Sequence, residues 1–151
     1  MQQMTATLEW QTDKQFLGTT GSSHSVLLDG DRANNAGASP MELVLLGMGG
    51  CSAYDVVHIL GKSRQKVTKC VTQLTAERSS EVPAVFTQIH VHFVVTGQGL
   101  SDEKVARAVE LSAEKYCSAS IMLMRGGVQI THGYEVVADD ADSSAAEGAD
   151  T

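Results

Sequence analysis

Two cysteines carry the chemistry this sequence offers most openly. Cys51 lies in GMGGCSAYDVV, inside the longest apolar run of the chain, and Cys117 lies in EKYCSAS, 66 positions later. A thiol pair suits peroxide reduction. One thiolate attacks the O–O bond and becomes a sulfenic acid, and a second thiol condenses with it to a disulfide. The attacking sulfur needs a cation or hydrogen-bond donors beside it and a pocket that admits substrate. The residues alone leave a second reading open, in which both cysteines are buried and serve as small apolar side chains. The third cysteine, Cys70, falls on a strand and reads as core or rim.

Other polar residues could contribute. Tyr54, Asp55 and His58 follow Cys51 by three, four and seven positions, which places them near its face of a helix. Asp55 or His58 could tune the thiol, or both could be polar groups at a subunit contact. His90 and His92 share one side of a strand at a spacing that can bind metal, but no third ligand is marked, so no metal site is expected. GMGG is not a phosphate loop, since it lies inside a helix and has neither the lysine nor the preceding strand. No cofactor is expected.

The elements that must position the cysteines follow from pattern. Ser39, Pro40 and Glu42 read as a helix start: an N-cap, a proline at the first helical position, and a glutamate that closes a capping box. The helix runs to Lys62 with Gly61 as its stop, and its leucines and valines predict burial nearly all round. Gly47, Gly49 and Gly50 in its interior each cost about 1 kcal/mol against alanine, which implies close packing there. Before it, Thr5–Gln11, Phe16–Leu17 and His24–Leu28 predict a small antiparallel sheet. This sheet has too little to bury alone, so strand exchange with a second chain is expected. After it, Lys66–Glu77 reads as a strand. Val85, Thr87, Ile89, Val91, Phe93 and Val95 alternate with Gln88, His90 and His92 as a strand with one buried face. Ser101 caps a second helix whose inner face is Val105, Ala108, Val109, Ser112 and Tyr116, SASIML adds a turn or two, and Val128–Val136 makes a last strand. The order is β-β-β-α-β-β-α-β, an α+β class with a long central helix between antiparallel sheets.

Composition bounds the function. The 151 residues are 42% hydrophobic and 19% charged, as in a soluble globular protein, and read as one domain over 1–138. The net charge of −7 argues against a nucleic-acid partner. Much of it sits in residues 139–151, an acidic tail with five acids and no base that reads as disordered. The N-terminus MQQMTATLEW lacks the marks of a signal sequence, and the apolar helix is glycine-broken and carries Glu42 and Asp55. No membrane association is therefore expected, and the free cysteines fit a reducing cytoplasm.

GMGGCSAYDVV with its upstream SPMEL, and EKYCSAS downstream, resemble the OsmC/Ohr family of thiol peroxidases, in register with the family's order of strands and helices to Val137. AERSSEVPAVFTQIHVHFVVTG and LSAEKYCSASIML look most like its YhfA-type branch. The resemblance implies an OsmC-like fold and an intertwined homodimer with its sites at the subunit interface. It also implies reduction of a small organic hydroperoxide in oxidative-stress defence, with Cys51 as the peroxidatic and Cys117 as the resolving cysteine. The reductant would be a small dithiol or a lipoylated protein. The family's glutamate position falls on Met41 here, and Phe16–Gly30, where the family's arginine would lie, holds no arginine or lysine, only His24. An apolar pocket lined by Met48, Tyr54, Met122 and Met124 is expected. The alternative function is a non-catalytic dimer of this fold that binds a small hydrophobic ligand or senses redox state.

Overall fold

The structure, a computed structural model, describes residues 1–139; all of the acidic tail but Asp139 lies outside the described residues. The chain falls into two compact units, with the division inside the central helix after Leu46.

The first unit is the small antiparallel sheet the alternation predicts, β1 (Ala6–Thr12), β2 (Gln15–Thr20) and β3 (Ser25–Asp29), paired in that order. Asp13-Lys14 turns the first hairpin with Asp13 at φ 45°, and its carbonyl accepts from the Trp10 indole. Every residue of β1 is exposed, Leu8 and Trp10 among them. Asp29 organises the loop that follows. Its carboxylate accepts from the backbone N–H groups of Asp31 and Ala36 and from the Asn34 amide.

The central helix, α1, runs Pro40–Lys62. Its capping box forms as read: the Ser39 N–H donates to Glu42 Oε1 at 2.9 Å and the Glu42 N–H to Ser39 Oγ at 3.2 Å. The stop differs. Gly61 stays helical, and the left-handed residue is Arg64 at φ 61°, with Arg64 N–H bonded to Gly61 O and Gln65 N–H to Leu60 O. This pair of bonds closes a Schellman motif on the last carbonyls, three residues past the glycine. Burial differs too. Only Met48, Gly49, Ser52, Val56 and Leu60 are buried, one stripe at helical spacing, while Leu46 (65%), Tyr54 (68%) and Val57 (43%) stand exposed. Among the described residues α1 is the one helix long and apolar enough to cross a membrane, with a mean hydropathy of 1.6.

The second unit carries a three-stranded sheet in the order β4 (Lys66–Arg78), β5 (Phe86–Gln98), β6 (Gln129–Ala138). On β5, Ile89, Val91, Phe93 and Val95 are buried, and the alternation holds. It breaks at the start, where Phe86 is buried and Val85 and Thr87 are exposed, because the register with β4 slips by one residue between Glu77 and Arg78. β5 pairs antiparallel with β4 but parallel with β6, so the sheet is mixed rather than antiparallel throughout. A parallel neighbour requires a crossover. It is made by α2 (Asp102–Leu111), a π-helical turn over Ser112–Tyr116 and α3 (Ser118–Arg125).

Three N–H donors, the Asp31 and Ala36 amides first and Asn34 after them, hold the Asp29 carboxyl below its ordinary range. A depressed folded-state value contributes stability above the unfolded value of about 4, and that stability is lost as pH falls through the lower, folded value. Asp29→Ala should speed hydrogen exchange at the Asp31 and Ala36 amides at neutral pH, and the wild type should lose its protection at these amides on acidification.

Candidate active site

The π turn decides where Cys117 goes. In a continuous α-helix the inner positions after Val109 and Ser112 would be followed by Tyr116. Here the Cys117 N–H bonds to Ser112 O at 2.9 Å, five residues back, and the wider turn brings Cys117 round to the inner side. Ser112 and Cys117 are buried and Tyr116 is 49% exposed, which corrects the inner-face assignment of Tyr116. Cys117 then leaves the helical conformation and becomes the N-cap of α3. Its sulfur accepts from the Ser120 N–H at 3.4 Å.

Cys51 comes to the same place from α1. Cys51 Sγ, Cys117 Sγ and an Asp55 carboxylate oxygen all lie within 4.8 Å of one another. Cys51 is half-buried and Cys117 wholly buried. The Ala119 N–H, in the first turn of α3, donates to Cys51. Two amides that a helix start leaves without internal partners are thus spent on two sulfurs. Ser52 Oγ lies 3.0 Å from Cys117 Sγ, and Ser112 Oγ donates to Asp55 Oδ2 at 3.2 Å and to the Ser52 carbonyl at 3.4 Å. Burial pushes the Cys51 thiol above its ordinary value. The Ala119 N–H opposes this, and Cys117 and the Asp55 carboxylate add to it.

The remaining residues scatter. His58 stacks on Tyr54 with ring centres 5.5 Å apart and lines a groove of about 450 Å³ with Gly50, Ala53, Tyr54, Val57 and Cys70. The pocket expected from Met48, Tyr54, Met122 and Met124 does not form in the single chain. Met48 is in the core, Tyr54 lines this groove, and Met122 lines a separate depression beside Lys115, Tyr116 and Arg125. Burial raises the half-buried Cys70 thiol. His90 Nδ1 lies 2.6 Å from Thr131 Oγ1 and His92 Nε2 3.4 Å from Glu135 Oε1, so each is engaged with β6. The three glycines of α1 divide: a Cβ on Gly49 would lie 2.6 Å from Leu74 Cδ1, while Gly47 and Gly50 face open space. Ser52, Ser112, Ala119 and Ser120 complete the site. Of these, the sequence pattern marked Ser112 alone, as an inner-face position of the second helix.

The OsmC-like protein family model matches residues 32–133, spanning both cysteines. The chain belongs to the OsmC-like family. Protein YhfA of Escherichia coli K12 is 54% identical over 135 residues, which cover 89% of this chain and 99% of that one. A crystal structure from Aquifex aeolicus VF5 superposes on this OsmC-like chain with a TM-score of 0.82 at 29% identity, over 92% of this chain and 99% of the other. The organic hydroperoxide resistance protein OhrB of Bacillus subtilis superposes at 0.60 and 19% identity, over 88% and 98%, a likeness of fold.

Ser112→Ala would strip Asp55 of its hydroxyl donor and leave the Ser52 carbonyl one contact short. A loss of about 1 kcal/mol in urea-induced unfolding is expected. The α2 content by circular dichroism should be unchanged, since the π turn rests on backbone bonds.

Proposed function

We propose that the protein reduces organic hydroperoxides through Cys51 and Cys117. The observation that carries this reading is the approach of the two sulfurs to within 4.8 Å at the start of α3. Cys51 is the attacking thiol, since it is the one of the pair with exposure and it receives the Ala119 N–H. Its sulfur takes the terminal peroxide oxygen, the alcohol leaves with a proton, and Cys51 becomes a sulfenic acid. The Cys117 sulfur attacks that intermediate, water leaves, and a disulfide joins the two. An external dithiol, small or lipoyl-borne, takes up the disulfide and restores both thiols.

The working form is a homodimer in the cytosol. Apolar Leu46, Tyr54 and Val57 are exposed along α1, and Gly47 and Gly50 present open backbone on the same helix. An exposed apolar stripe with small residues is suited to a second helix at close range. The alternative, a non-catalytic dimer that binds a small hydrophobic ligand or senses redox state, draws on the apolar groove beside Tyr54 and on the raised Cys51 thiol.

Reduced protein mixed with slight excess cumene hydroperoxide should lose both thiols and form a Cys51–Cys117 disulfide, read by peptide mass mapping. Cys117→Ser should stop at a Cys51 sulfenic acid that dimedone traps, and Cys51→Ser should consume no peroxide. Reaction of Cys51 no faster than free cysteine at pH 7 would overturn the assignment and leave the ligand-binding reading. The assembly is checked by sedimentation: the wild type should run as a dimer and Gly50→Glu as a monomer, whereas a monomeric wild type would remove the homodimer.

A further inference from the structure

The three groups that converge beside α3 have the makings of a metal centre. Cys51, Cys117 and Asp55 offer two sulfurs and one oxygen, all within 4.8 Å of one another. In any triangle with sides no longer than that, a central point lies within about 2.8 Å of every corner, against bonds of about 2.3 Å to sulfur and 2.0–2.2 Å to oxygen for zinc. Inward movements of about half an ångström to just under one ångström would close the coordination shell. We infer that Cys51, Cys117 and Asp55 bind a thiophilic divalent cation, zinc foremost, with the fourth tetrahedral position left to water or another ligand.

Charge and second contacts support this. Two thiolates and a carboxylate together carry three negative charges, which a divalent cation reduces to one. Among the described residues the ion pairs are His92–Glu135 and Arg107–Glu110, so Asp55 has no cationic partner to displace. Each ligand is also held from outside. Ser112 Oγ donates to Asp55 Oδ2, Ser52 Oγ touches Cys117 Sγ, and the Ala119 and Ser120 amides point at the two sulfurs. Such outer contacts orient ligands and steady thiolates in metal sites. Binding exchanges two S–H protons for two metal–sulfur bonds and releases the protons to solvent, with no change of oxidation state.

The inference needs the convergence of the sulfurs but not the peroxide chemistry, so each can fail alone. Reduced, metal-free protein is titrated anaerobically with Co²⁺ and then Zn²⁺. One equivalent of Co²⁺ should produce sulfur-to-cobalt charge-transfer absorption with the intense visible bands of four-coordination, and Zn²⁺ should bleach them. Asp55→Asn should weaken Zn²⁺ binding at least tenfold, Cys51→Ser and Cys117→Ser should abolish the charge-transfer band or halve it, and Cys70→Ser should change nothing. Bound Zn²⁺ should also protect Cys51 from iodoacetamide in the wild type, a readout that needs no variant to fold. No metal uptake by the wild type would overturn the inference, as would binding that survives loss of both cysteines, requires Cys70, or ignores Asp55→Asn. Failure to consume peroxide by metal-free protein that binds Zn²⁺ would sink the peroxidase reading and leave this one standing.

Discussion

The meeting of the two cysteines depends on one five-residue hydrogen bond, from the Cys117 N–H to the Ser112 carbonyl. A normal helical bond at that point would leave a bulky tyrosine against α1 in place of a thiol. The wider turn costs backbone geometry, and wide turns of this kind are found at functional sites more than elsewhere. Here the cost has a visible return. It turns Cys117 inward and ends α2, so that α3 can begin one residue later with its free amides beside both sulfurs.

That placement sets two effects against each other. Burial disfavours the thiolate on Cys51, and the neighbouring Cys117 and Asp55 disfavour it further, while the Ala119 amide at the start of α3 favours it. Burial is the largest of these, so the Cys51 thiol in the single chain sits above its ordinary value. A second polypeptide, a substrate or a metal ion would each change this balance by altering the charge beside a half-buried sulfur. The Cys51 thiol is therefore sensitive to whatever joins it, and Ser112 and Ser52 hold the Asp55 carboxylate and Cys117 beside it.

Local signals were legible where the controlling interaction is local. Ser39 and Glu42 form a capping box because both partners are written within four residues, and Ser101 caps α2 for the same reason. The β5 alternation survives because one face of that strand meets the core along nearly its whole length. Three features were not legible. The parallel pairing of β6 depends on which strand it meets after the crossover, and nothing in Gln129–Ala138 encodes the direction of its neighbour. The π turn has no composition of its own, since Ser112–Tyr116 would serve equally as ordinary helix. The exposed face of α1 reads as core because an apolar residue carries no mark of whether its own chain covers it, and Leu46, Tyr54 and Val57 are left uncovered. At the site, the two cysteines and Asp55 could be named from the sequence, whereas the backbone amides that hold the sulfurs could not, because any residue supplies them.

The two proposals draw on the same pair of sulfurs, and this constrains how their chemistries could be combined. A buried thiol beside a carboxylate is a reluctant nucleophile, since ionising it adds a second negative charge where one already sits. A divalent cation removes that penalty by replacing the protons, and in doing so it occupies the electron pairs that would attack a peroxide. Conversely, a disulfide between Cys51 and Cys117 takes both sulfurs out of the ligand set and leaves Asp55 alone, too little to hold a metal. On these proposals a metal-bound and an oxidised form would exclude each other, since both draw on the same sulfurs. That exclusion follows from the short separation of the sulfurs, which is the π turn's doing.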